Sequence, residues 1–204
     1  MLASEDLMHG KPSRVALFKQ LQKTSNADLP ALTILRARRL LAYHPNHGPT
    51  WLVLGIALVE LARYEEAEAA LRKAVKLCPP DRASIPLGHM GHLFREQGAF
   101  DRAAEWYRKA SEAAPTDSTG YIYLGGALAK AGRLREAEEV HRAAIECVEG
   151  CIDEAFLNLG LVLRAQERFT EAAECFREAI HLDPAYHAAK KALRDVERCL
   201  KHLA

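Results

Sequence analysis

The chain has 204 residues, 28 Lys and Arg against 27 Asp and Glu, a net charge of +1 and five cysteines. A charge so near zero gives no global attraction to nucleic acid or to an anionic membrane. No apolar run approaches the roughly 18 residues of a membrane-spanning helix, and the start, MLASEDLMHGK, has early acids and no apolar core of a secretory signal.

Residues 1–13 read as a tail. Residues 14–47 carry apolar faces at Leu17, Leu21, Leu32, Leu35, Leu40 and Leu41, with Asn26 or Asp28 as candidate caps before Pro30. From Thr50 a frame sets in: Gly55 is followed by Ala67, Leu71, Ala74 and Pro79. It recurs from Gly91 with Ala103, Tyr107, Ala110 and Pro115. It recurs again from Gly125 with Ala137, His141, Ala144 and Glu149, and from Gly160 with Ala172, Phe176, Ala179 and Pro184. Counted back from Pro45, the same frame gives Leu40, Ala37, Thr33 and Leu21, a degenerate first copy.

Each copy predicts two helices. In the first full copy, Trp51, Leu54, Gly55 and Leu58 share one helical face, and Tyr64, Ala67, Leu71, Ala74 and Leu77 share another. Gly98 and Gly132 sit in two of the breaks, where a left-handed backbone or tight packing favours glycine. Ser84, Ser118 and Asp153 are the expected caps after the variable loops. A last helix beyond Pro184 carries Tyr186, Ala189, Leu193, Val196 and Leu200 on one stripe and charges elsewhere, as a solvating cap does.

This frame resembles the tetratricopeptide repeat family. The resemblance rests on Trp51, Leu54, Gly55, Leu58, Ala67, Leu71, Ala74 and Pro79 and on their counterparts, and covers residues 48–184. It implies an all-α, right-handed superhelical solenoid of antiparallel helix pairs with a C-terminal capping helix, one elongated domain. The expected division is a tail at 1–13, a degenerate repeat at 14–47, full repeats near 48–81, 84–117, 118–151 and 153–186, and a cap at 185–204.

No catalytic motif appears: there is no HExxH, GxSxG, phosphate loop or CxxC. The chain is therefore read as not an enzyme, with no cofactor. His89 and His92 have an i, i+3 spacing that metals accept, but no third ligand stands nearby in sequence, so they read as polar residues on an exposed face and no metal is expected. Five cysteines in helical sequence suit free thiols and a reducing, cytoplasmic setting, with no Cys147–Cys151 disulfide. Glu65, Glu66 and Glu68 beside Arg72 and Lys73 read as a solvated face.

In the family the remaining face of each first helix forms a concave wall that binds an extended peptide or a helix. The resemblance places there Leu52, Val53, Ile56 and Glu60; His89, His92, Arg95 and Glu96; Ile122, Tyr123, Gly126 and Lys130; and Leu157, Asn158, Leu161 and Arg164. The family's carboxylate clamp for chaperone C-termini asks for Lys, Asn, Asn, Lys and Arg; the corresponding places here hold mostly Leu, Val, Ile, His and Tyr, and Asn158 alone keeps an Asn. The expected function is a protein–protein interaction scaffold or adaptor. Its expected peptide-binding residues are Leu52, Val53, Ile56, His89, His92, Arg95, Tyr123, Lys130, Asn158, Leu161 and Arg164. His92 and Arg95 should then favour an acidic group, more so below about pH 6.5. The partner is a protein or peptide, not nucleic acid and not a membrane. The alternatives are self-association into a structural homo-oligomer, and an accessory or regulatory domain or subunit of an enzyme, as arrays resembling this one precede glycosyltransferase domains.

Overall fold

A computed structural model describes residues 13–203, so residues 1–12 of the expected tail lie outside it. Among the described residues there are eleven α-helices and no strand. The described residues form two compact units, one ending at Pro79 and one beginning at Pro80.

The first unit holds α1 (Arg14–Ser25), α2 (Pro30–Tyr43), α3 (Gly48–Glu60) and α4 (Tyr64–Leu77). Each packs on the next. In the degenerate copy the frame positions Leu21, Thr33, Ala37 and Leu40 are all fully buried. Where later copies put glycine on the first helix and a large residue on the second, this copy has Leu21 and Ala37. The large and small partners have changed helices and the pair still fills its space, as close packing requires. Leu32 and Leu35 are not on the apolar face as expected: they are 39% and 64% exposed, and Thr33, Ile34 and Ala37 form the buried stripe instead.

The second unit holds a 3₁₀ turn (Pro80–Arg82), α5 (Ser84–Glu96), α6 (Phe100–Ala113), α7 (Ser118–Lys130), α8 (Leu134–Ile145), α9 (Ile152–Ala165), α10 (Phe169–Leu182) and α11 (His187–Leu203). Successive helices from α5 to α11 pack as antiparallel pairs, and α7 also lies beside α5 and α9. The last helix buries Ala189, Ala192 and Val196 and half-buries Leu193 and Leu200 against the α9–α10 core, and Tyr186, just before it, packs there too.

The four frame glycines all lie inside first helices and meet the second helix of their own pair. A Cβ on Gly55 would stand 2.6 Å from Leu71, on Gly125 2.5 Å from His141 and on Gly160 2.5 Å from Phe176; on Gly91 it would overlap the Tyr107 ring. Any side chain there would push the large partner sixteen residues on out of its place, which is the overpacking cost.

The pair turns repeat one backbone feature more widely than the glycines suggested. Gly98 and Gly132 have positive φ as expected, and so do Asp28, Ala62 and Glu167 at the equivalent places. An L-residue held there is strained. Ala62→Gly is therefore expected to raise the unfolding free energy by about 0.5 kcal/mol, after glycine's own entropy is deducted, while Ala129→Gly inside α7 lowers it by about 1 kcal/mol. Urea denaturation reads both, and a loss at Ala62→Gly would refute strain at the turn.

The caps differ from expectation by about one residue. The 3₁₀ turn runs directly into α5, so Ala83 already has helical angles and Ser84 is the first helical residue. Asp117, in extended conformation, caps α7: its carboxylate accepts from the Thr119 N–H, and Ser118 is inside the helix. Asp153 lies in the first turn of α9, one residue past its start. Asn26 closes α1, and Asp28 occupies the left-handed turn rather than capping α2. Pro30 does begin α2.

The third full copy lacks its closing proline for a visible reason. α8 stops at Ile145, and the Glu149 N–H donates to Thr116 O at 3.1 Å while Glu149 O accepts from Ser118 N at 3.0 Å. Proline has no N–H to give to that bridge.

The outer side of the second helices is charged as expected. Arg72 bonds Glu68 at 2.6 Å, an i, i+4 pair. Arg63, Arg133 and Arg168, each just before a second helix, reach the Glu three residues on. Glu138 departs from the plain solvated picture: its side chain is only 14% exposed and accepts from both Arg142 and Arg168. None of the five cysteines is in a disulfide.

Candidate interaction surface

In the second unit the expected wall residues lie on α5, α7 and α9. Between α5, the end of α6 and the start of α7 lies a cavity of about 210 Å³. His89, His92 and Tyr123 line it, joined by Tyr107, Ile85 and Asp117. Tyr107 is fully buried because it fills the space over Gly91, and that fixes its hydroxyl 2.8 Å from His92 Nδ1. The His92 ring stands edge-on to Tyr123 at 4.6 Å between centroids and to Tyr107 at 5.4 Å. Tyr107 and Tyr123 stack at 5.5 Å, and His89 lies 5.5 Å from His92. These are favoured aromatic geometries.

Packing sets the electrostatics. Burial removes water from His92 and lowers its pKa to about 4, helped by the nearby His89 and Arg95. Burial lowers His89 as well, and raises the Tyr107 hydroxyl well above the usual phenol range. Both rings are thus half-buried cluster members, not solvated face residues, and His92 does not gain charge just below pH 6.5. Arg95 is paired with Glu96 at 3.1 Å. Both features count against the expected preference for an acidic ligand at this place.

A second cavity, about 290 Å³, opens between α7, α8 and α9 and gathers Lys130, Asn158 and Leu161 with Gly126, Leu134 and His141. Arg164 turns away from it to pair with Asp195 of α11 at 2.9 Å. Ile122 and Leu157 are not exposed wall residues: Ile122 is buried against Ala144 and Ala155, and Leu157 in the α9–α10 core. Neighbouring helices cover them, which a single-helix pattern cannot reveal.

In the first unit Leu52, Val53 and Ile56 are half-buried on α3. The groove of that unit, about 500 Å³, is lined instead by Trp51, Leu54 and Leu58 with Arg38 and Leu41 of α2 and Ala70 of α4.

Sequence reasoning missed Tyr107 and Asp117 as lining residues. Tyr107 was absorbed by its packing role opposite Gly91, and its hydroxyl was the one available signal; Asp117 was hidden in a loop. Among the described residues no helix is long and apolar enough to cross a membrane, and no group of three potential metal ligands occurs.

Tetratricopeptide repeat models match residues 48–81, 90–150 and 153–186. The chain belongs to the tetratricopeptide repeat family. Its helix pairs are the family's all-α solenoid units, closed by a capping helix. Tetratricopeptide repeat protein 7B of Homo sapiens is 29% identical over 133 residues, which is 65% of this chain and 15% of that protein. The chain thus spans a small part of the length of such relatives. Among solved structures, the tetratricopeptide protein YrrB, described as having an unusual peptide-binding site, superposes with a TM-score of 0.66 at 19% identity, covering 89% of this chain and 92% of that one. MamA from Desulfovibrio magneticus RS-1 gives 0.71 at 20% identity, covering 87% and 98%. At these identities the likeness is one of fold.

Proposed function

We propose that the protein is an interaction scaffold or adaptor whose first-helix wall in the second unit, α5, α7 and α9, binds an extended or helical segment of a partner protein. The observation that carries this is the half-exposed Tyr123, set over a cavity by His92 and Tyr107. An aromatic held rigidly beside a concavity loses little entropy on binding and offers both a face and a hydroxyl. His89, His92 and Tyr123 at one cavity and Lys130, Asn158 and Leu161 at the next make the contact residues. Arg95 and Arg164, each paired with a neighbouring acid, are the remaining candidates on α5 and α9, and Leu52, Val53 and Ile56 are the matching positions of the first unit. The repeat frame 14–47, 48–81, 84–117, 118–151 and 153–186 is part of this proposal, as is a reducing, cytoplasmic setting that suits five cysteines outside any disulfide.

Tyr123→Ala is expected to weaken a captured partner by about 2 kcal/mol, close to thirtyfold, without unfolding the array. Glu138 is unsuitable as the control because it anchors two arginines, so the exposed Glu139→Ala on α8 serves. Quantitative pull-down from the native host compares the two. A partner held equally by both variants would move the assignment to self-association.

A further inference from the structure

We propose that the cavity between α5, α6 and α7 takes a lysine or arginine side chain of the bound segment, with Asp117 as its counter-charge. This rests on the wall reading above and adds the chemistry of one anchor.

Three observations support it. The cavity, about 210 Å³, has the volume of one long side chain, and most of its lining is apolar or aromatic: Ile85, Tyr107 and Tyr123 among others. Among the described residues no lysine or arginine lines it, and the only acidic side chain that does is Asp117. The two histidines in the lining add no positive charge at neutral pH, because burial holds both below their ordinary range.

The acid is also held in place. Asp117 Oδ1 accepts from the Thr119 N–H at 2.9 Å, and the backbone on either side is tied to Glu149 by the Thr116 and Ser118 bonds. The first turn of α7 has therefore spent its foremost N–H groups on Asp117 and Glu149, which leaves it less to offer an anion. α5 also presents its first turn at Ser84 and Ile85, but the closing residue of α6, Ala114, lines the same space and sets a negative helix end against it. A long basic side chain entering here lays its apolar stem along the half-exposed Tyr123 ring and Ile85 and meets a fixed carboxylate at its tip.

The probe is a phage-displayed library of random peptides panned on the full chain. The expected consensus has Arg or Lys at one fixed position. Changing that residue to Ala in a synthetic peptide should weaken binding about tenfold, and to Glu more. Asp117→Asn, which keeps an equally good helix cap, should give a similar loss with the parent peptide and little further loss with the Ala peptide. The peptide-side changes leave the protein's fold untouched. Peptides that depend on Tyr123 but carry an acidic or apolar anchor would overturn the cation pocket and leave the wall reading standing. A library that yields no Tyr123-dependent peptide would overturn both.

Discussion

His141→Phe is expected to remove about 3 kcal/mol of acid-induced destabilisation between pH 6.5 and 4. His141 occupies the large position of the third full copy and is 1% exposed, its ring against Gly125. Its Nδ1 is buried with no hydrogen-bond partner. Burial disfavours the imidazolium and lowers the pKa from 6.5 to about 4. The sign follows from proton counting. Between those two values the unfolded chain binds a proton at this residue and the folded chain does not, so the unfolded state gains as pH falls. The contribution is fully present above pH 6.5 and is lost by about pH 4. Phenylalanine cannot titrate, and the fold already accepts rings at this position, with Tyr107 over Gly91 and Phe176 over Gly160. At neutral pH the variant should equal or exceed the parent, since a buried nitrogen without a partner is removed. His92 and the ion-paired Glu136, Glu138 and Glu171, whose carboxyls are held low, also respond to acid. The readout is therefore the difference between the two proteins in urea denaturation across the window. A difference that stays constant from pH 7 to 4 would show that His141 is protonated without penalty in the folded state.

The fold was legible because its determinants are paired along the chain. A glycine and a large residue sixteen positions on are one packing event, so four copies of the pair locate both helices of each hairpin and the break between them. The turn conformation was half legible. Only Gly98 and Gly132 announce a left-handed residue, while Ala62 and Glu167 are forced into it by the hairpin geometry that their neighbours impose. The site was legible where a residue's own helix decides its exposure, as for Tyr123. It was illegible where the next hairpin decides. Ile122 disappears under Ala144 and Ala155, and Glu138 is drawn in by Arg168 from the following pair. The low pKa of His92 belongs to the same class: its ring nitrogen meets Tyr107 fifteen residues away, and burial, with His89 and Arg95 nearby, lowers its pKa to about 4. The expectation of an acidic ligand there counted histidines and not the water around them.

Leu159→Ala is expected to cost 2–5 kcal/mol, the range for truncating a buried leucine that its surroundings cannot collapse around. Leu159 is 1% exposed on α9, one residue before the glycine that admits Phe176, and belongs to the core that includes Leu163, Ala172, Phe176, Ala189 and Val196. Those neighbours come from three helices, and several are already alanine, so few side chains can swing into the space left behind. The upper half of the range is accordingly favoured. Because a repeat is stabilised only by its neighbours, the damage should be concentrated in α9, α10 and α11. Amide hydrogen exchange should then accelerate there before it does in α6. Glu66→Ala is the matched surface change: Glu66 pairs with Arg38 and Arg63, but all three side chains are at least 40% exposed, so the loss should be about 0.5 kcal/mol. Equal losses at Leu159 and Glu66 in chemical denaturation would mean that the leucine is not in a packed core, and the glycine-based frame that placed it there would fall with it.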